Sequence, residues 1–232
     1  KELGVTVKNV TGYSVTTVPE HVLGMIFALK HSLAGWQRDQ ITGKWTESKQ
    51  FCYFDYPITD MRGSTLGVFG KGCLGTEVGR LANAVGMKVL YAEHKDATVC
   101  REGYTPFEEV LRQADIVTLH CPLTETTKNL INADTLSKMK KGAFLINTGR
   151  GPLIDELALV DALKTGHLGG AALDVMVKEP PEKDNSLILA AKTMPNLIIT
   201  PHIAWASDSA VTTLVDKVMQ NIEEFVQQLN QK

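Results

Sequence analysis

Apolar and polar positions along the chain change period many times, and the changes delimit its elements. Residues 3–10 alternate as a short strand, and Gly12 marks a turn. From Val18 to Gly35 the apolar positions Val22, Leu23, Ile26, Phe27, Leu29 and Leu33 recur at helical spacing. Pro19 and Glu20 suit a first turn, and Gly35 suits a stop. Residues 36–62 lose periodicity and gather Trp36, Trp45, Phe51, Tyr53, Phe54 and Tyr56, which predicts an irregular arm that meets another subunit. Beyond it, strand and helix signals alternate. Strands are predicted at 66–69, 87–92, 115–119, 143–147, 170–175 and 197–200. Helices are predicted from Leu74 to Val85 and at 106–114, 132–139, 155–165 and 207–229. This alternation predicts an α/β fold, a doubly wound parallel sheet.

The strand at 66–69 runs straight into Gly70-Lys71-Gly72-Cys73-Leu74-Gly75, which reads G-x-G-x-x-G, and then into a helix. The next strand ends at an acid, Glu93. That layout is a dinucleotide-binding unit. Gly70 permits the turn, Gly72 admits a pyrophosphate to the backbone, and Gly75 lets helix and strand pack closely. The free N–H groups and dipole of the helix attract the phosphates. Glu93 is placed to hold the ribose hydroxyls of NAD, and its charge repels the extra phosphate of NADP. His94 and Lys95 follow at once and weaken that exclusion. Glu93 alone predicts a preference for NADH of at least about tenfold in kcat/KM.

Composition narrows the class. The chain has 232 residues, 44% hydrophobic and 22% charged, with a net charge of −2. No global basic field recruits nucleic acid or an anionic membrane. No apolar run reaches the ~18 residues of a membrane span. The cysteines, Cys52, Cys73, Cys100 and Cys121, form no C-x-x-C pair. They read as reduced thiols of a cytoplasmic protein, with no metal site. His21 and His31 read as packed or solvated histidines.

In such a sheet, ligands sit beyond the carboxyl ends of the strands. Arg150 follows the strand at 143–147, Glu179 follows the one at 170–175, and His202 follows the one at 197–200. These three suit a carbonyl reduction. Hydride addition builds negative charge on oxygen, which needs a proton donor and a nearby cation. A carboxylate beside a histidine favours the imidazolium, and an arginine holds an adjacent carboxylate bidentately. The alternative reading is an Arg–Glu surface pair and a structural histidine.

With these residues in place, the chain resembles the D-isomer-specific 2-hydroxyacid dehydrogenases. The matching pieces are GKGCLG at 70–75, LHCPLT at 119–124, LINTGRGPLID at 145–155, ALDVMVKEP at 172–180 and TPHIAWAS at 200–207. The resemblance implies a Rossmann-type NAD-binding domain over 13–205, including an interdomain helix and a dimerisation arm. It implies that residues 1–12 close a truncated, flavodoxin-like substrate domain and that the helix over 206–232 returns to it. It assigns Arg150 to the substrate, His202 to acid–base work and Glu179 to pairing with His202. It places Cys73 and Leu74 on the pyrophosphate, Cys121 near the adenosine, and Thr148, Gly149 and Asp174 toward the nicotinamide. The implied reaction is hydride transfer between NADH and a small 2-oxo acid, foremost hydroxypyruvate and D-glycerate, by a homodimer. Alternatives are a 3-phosphoglycerate substrate, or an NADH-sensing corepressor of the same fold. A formate dehydrogenase is disfavoured because such enzymes carry glutamine where Glu179 stands, and a methyltransferase-type domain by the spacing of the glycines.

Overall fold

The computed structural model describes residues 5–230. Six parallel strands form one sheet: β1 Thr65–Phe69, β2 Lys88–Ala92, β3 Ile116–Leu119, β4 Ala143–Asn147, β5 Leu168–Leu173 and β6 Leu197–Ile199. Their order is β2-β1-β3-β4-β5-β6, so the order reverses between β1 and β3. A crevice opens at that switch point, outside the carboxyl ends of the strands.

Strand side chains alternate between two cores because the side-chain period is two. Leu66, Val68, Ile116, Ile146 and Ala172 face α1 (Thr17–Lys30) and α4 (Cys73–Ala84). Phe69, Val117, Leu119, Leu145 and Leu173 face α5 (Phe107–Gln113), α6 (Ala133–Lys138), α7 (Glu156–Lys164) and α8 (Ser186–Ala191). A sheet covered on both faces explains strands that read as nearly continuous apolar runs. Caps fix where the covering helices begin. The Asn132 side chain accepts from Asp134 and Thr135, and Thr135 answers to the Asn132 N–H. The Asp155 carboxylate accepts from Leu157 and Ala158.

Three expectations are corrected. The first helix does not run to Gly35. It ends at Lys30, Ser32 takes φ 52°, and α2 (Leu33–Ile41) starts anew. Gly35 lies inside α2, where it makes room for the Tyr56 ring: a Cβ there would lie 3.0 Å from it. Residues 36–62 are not wholly irregular, since the rest of α2 and α3 (Lys44–Ser48) lie there. Buried Asp39 organises this arm: it accepts from Tyr53 and Tyr56 at 3.2 and 3.0 Å and pairs with Lys44 at 3.1 Å. Of the strand expected over 3–10, residues 3 and 4 lie outside the described residues. Residues 5–10 have no strand partner, and Val5 and Val7 are exposed. An extended segment becomes a strand only against another edge. This one instead ties to α9 (Asp208–Asn230) through Lys8–Glu224 at 2.7 Å. α9 buries only Ala210.

Candidate active site

The cofactor side is built on the turn after β1. Gly70 takes φ +109°, and a Cβ there would come within 2.6 Å of the Cys121 nitrogen. A Cβ on Gly75 would lie 2.0 Å from the Gly70 oxygen, so helix and turn meet only without one. A Cβ on Gly72 would meet nothing within 4 Å, so open space faces this backbone. Helix α4 is capped by Gly72, and its first internal bond runs from the Thr76 N–H to the Gly72 oxygen. The N–H groups of Cys73, Leu74 and Gly75 precede that bond and are left for an anion. The residues therefore fit a dinucleotide pyrophosphate.

Beside this turn lies a cleft of about 510 Å³, lined among others by Gly70, Glu93, Arg101, Tyr104 and Cys121. Burial pushes the Cys121 thiol up. Glu93 stands just past the end of β2 and is buried. Arg101, paired with it at 2.6 Å, and the N–H groups of His94 and Arg101 hold its carboxyl down at about 2.

The reacting side is made by the loops after β4, β5 and β6. Asn147 ends β4 and is fully buried. Its amide donates to the Arg150 oxygen at 2.9 Å and accepts from the Gly149 N–H at 3.0 Å, which shapes the loop that carries Thr148, Gly149 and Arg150. The Thr148 hydroxyl is buried without a partner among the described residues, which fits a polar group of a bound cofactor. Arg150 is exposed and donates to the Gly149 oxygen at 2.7 Å, and no ion pair among the described residues engages it. Gly151 brings this loop against the next: a Cβ there would lie 2.0 Å from the Met176 oxygen.

In that next loop Glu179 accepts from the Met176 N–H through Oε1 at 2.9 Å. Its Oε2 meets His202 Nδ1 at 2.7 Å. A carboxylate only accepts, so Nδ1 carries the proton and Nε2 is left for the substrate. Burial raises the Glu179 carboxyl, but the bonds from His202 and Met176, with the charges of His202 and Arg150, outweigh it and leave it low. His202 sits at φ 56°, a left-handed conformation that costs a non-glycine residue about 1–2 kcal/mol. Asp174 holds it there. Its backbone oxygen accepts from the His202 N–H, and its buried carboxylate accepts from Thr200 Oγ1 and from the N–H groups of Ile203 and Ala204. Trp205 Nε1 donates to the His202 oxygen at 3.1 Å.

The sequence thus pointed to side chains that the fold gathers in two places along one sheet edge: Gly70 to Gly75, Glu93 and Cys121 at the cleft, and Arg150, Asp174, Glu179 and His202 across from it. Sequence reasoning missed the residues that brace them. Asn147 shapes its own loop, Gly151 packs against the next one, and Glu156 bonds the Val177 N–H and Asn185. Arg101 was missed too, although it follows Glu93 by only eight positions. A further cavity, about 810 Å³, lies at the opposite sheet end, lined by Lys30, Ser64, Asp115 and Gly169, where this fold class does not bind its cofactor. No metal-binding group of side chains occurs among the described residues.

Comparison with known proteins agrees with this geometry. Residues 23–204 match the model of the D-isomer specific 2-hydroxyacid dehydrogenase NAD-binding domain. A Haemophilus influenzae protein carrying the name 2-hydroxyacid dehydrogenase is 90% identical over 100% of this chain, which spans 74% of its length. A glycerate dehydrogenase of Methylorubrum extorquens is 49% identical over 97% of the chain, which spans 70% of its length. The crystal structure of a D-lactate dehydrogenase from Aquifex aeolicus complexed with NAD and lactic acid superposes with TM-score 0.85, at 31% identity, over 98% of this chain and 71% of that one. With its glycine turn, its parallel sheet and these relatives, the chain belongs to the NAD-dependent D-isomer-specific 2-hydroxyacid dehydrogenases.

Proposed function

We propose that this protein interconverts a small 2-oxo acid and its D-2-hydroxy acid, with hydroxypyruvate and D-glycerate as the pair. The carrying observation is the His202–Glu179 bond at 2.7 Å, with the charge of Arg150 acting on Glu179 and no ion pair among the described residues engaging Arg150. The glycerate dehydrogenase relative at 49% identity supports the substrate.

Bound NADH supplies the hydride. His202, charged and held through Nδ1 by Glu179, gives the Nε2 proton to the substrate oxygen as negative charge develops there. Glu179 stabilises the imidazolium and fixes its ring plane. Arg150 holds the substrate carboxylate through two parallel bonds and polarises the neighbouring carbonyl. In oxidation neutral His202 takes the proton back. The loop of Thr148 and Gly149 and the backbone frame at Asp174 would hold the nicotinamide end of the cofactor, while Cys73, Leu74 and Cys121 would hold its phosphate and adenosine end.

The arm from Trp36 to Tyr56 joins two copies into a dimer: Phe51 is 94% and Phe54 88% exposed, too much apolar surface for a free loop. The N-terminal segment and α9 belong with a second, substrate-binding domain, which the bare apolar side of α9 supports. Four free cysteines suit a reducing, cytoplasmic setting. No helix among the described residues is long and apolar enough to cross a membrane.

NADH oxidation by the full-length protein across a panel of 2-oxo acids tests this reading. Hydroxypyruvate should give the highest kcat/KM. A higher value for 3-phosphohydroxypyruvate would move the assignment to the phosphorylated substrate, and no turnover of any 2-oxo acid would favour the corepressor.

A further inference from the structure

Glu93 stands where the adenine-side ribose is expected, yet its carboxylate is full. Oε1 accepts from the His94 N–H at 2.8 Å and from Arg101 Nη2 at 2.6 Å. Oε2 accepts from Arg101 Nε at 2.8 Å and from the Arg101 N–H at 3.1 Å. An ionised carboxylate offers about four acceptor positions. All four are occupied, two of them by one guanidinium. A ribose hydroxyl can bond Glu93 only by displacing part of that fork.

Arg101 is held by a second contact in that same position. Its guanidinium lies 4.1 Å from the centre of the Tyr104 ring, whose face attracts a cation. Lys71, from the phosphate turn, lies 4.7 Å from the Tyr91 ring and 5.0 Å from that of Tyr104, and donates to the Gly103 oxygen at 3.3 Å. Lys71, His94, Lys95 and Arg101 all line the cleft, against Glu93 and Asp96. The acid that should repel a ribose phosphate is therefore neutralised by its partner and outnumbered by nearby cations.

We infer that Arg101 sets nucleotide choice: it cancels the charge of Glu93 and offers a cation to a phosphate on the adenine-side ribose, so the cleft accepts NADPH beside NADH. The inference rests on the dinucleotide-binding reading of the cleft. The tenfold preference for NADH expected from Glu93 alone then belongs to a variant that lacks Arg101, not to the wild-type protein.

Calorimetric titration of the full-length protein with NADH and with NADPH tests it without turnover. Arg101→Gln should raise the ratio of the NADPH Kd to the NADH Kd by about tenfold or more, the usual worth of a charge-assisted contact to phosphate. Glu93→Gln should lower that ratio, because it frees Arg101 and removes the remaining anion. A change of less than about twofold in Arg101→Gln overturns the proposal. Arg101 as a mere brace of the 93–105 loop gives that result, since both Kd values would rise together. Failure of the wild-type protein to bind either nucleotide would instead remove the cofactor reading, and the inference with it.

Discussion

His202 is the residue on which most others in the site act. Its left-handed backbone is held by Asp174 and Trp205, and its ring by Glu179. The Glu179 carboxyl lies below its ordinary range, so it is ionised throughout neutral pH. By linkage its stabilising effect is full above the unfolded carboxylate range and is lost as pH falls through the lowered folded value. Glu179→Gln removes the charge and keeps the shape. The reductive kcat/KM should then fall, because the ring has lost the partner that holds it in place. An unchanged kcat/KM would assign His202 another partner. His202→Ala should cut kcat by roughly 10²- to 10⁴-fold while NADH binding, followed by fluorescence, is nearly unchanged. Gly151→Ala tests the contact between two site loops. Its methyl would overlap the Met176 carbonyl, and backbone cannot give way cheaply, so the protein should lose about 1–3 kcal/mol and Arg150 should be displaced. Urea unfolding reads the first effect, and a raised KM for the 2-oxo acid reads the second. Arg150, Glu179 and His202 were legible as loop residues because each comes three to six positions after a strand, on the edge where ligands bind. Gly151 and Glu156 were not, because their partners lie in another loop. Asn147 was not, because it reads as the last residue of a strand and its bonds to Gly149 and Arg150 form only once the loop turns back on it.

Elements were legible where one physical signal dominated. The strands read as apolar runs because both sheet faces are covered, and the observed limits fall within two residues of those expected. Helices α6 and α7 were expected to start at Asn132 and Asp155, and those side chains cap them. Helix α8 was missed although Asn185 caps it in the same way, accepting from Leu187 and Ile188. It is a single short stretch, and its SLILAA run shows no helical period. The arm failed for a different reason. Its order comes from a buried charge hub rather than from an apolar stripe. Asp39 would rise through burial, but Lys44, Tyr56 and Tyr53 more than offset this and hold it low. Asp39→Ala should release both tyrosines and Lys44, lower the melting temperature, and, on the proposal that the arm joins two copies, shift sedimentation toward monomer at micromolar concentration. A variant that melts lower but stays dimeric would confine the hub to folding and remove the arm from the interface.

At the scale of the molecule, the sheet sets a cofactor cleft and a row of reacting side chains on one edge, and that row lies open. Glu179 and His202 keep 36% and 43% of their side-chain surface exposed. A reducing site that excludes water needs a cover. Helix α9 shows where one would attach. Val211, Val215, Val218, Ile222, Phe225 and Leu229 repeat at four- and three-residue steps, the spacing of one helical face, and all are exposed. Through Lys8–Glu224 and the bond from Lys217 to the Thr11 oxygen, this helix also holds the N-terminal segment. On the proposed reading, both segments belong with one second domain, and that domain would cover Arg150 and His202. Ile222→Asp in the full-length protein places a charge in the middle of that face. Burying an isoleucine there is worth about 1.5–3 kcal/mol, so the loss should weaken closure rather than unfold the sheet, whose cores do not include Ile222. The expected result is a several-fold higher KM for the 2-oxo acid with the NADH Kd unchanged within about twofold, since the cleft at Glu93 and the turn at Gly72 are built without α9. Equal losses in both quantities would mean that α9 supports the cofactor domain itself, and the domain assignment would fall.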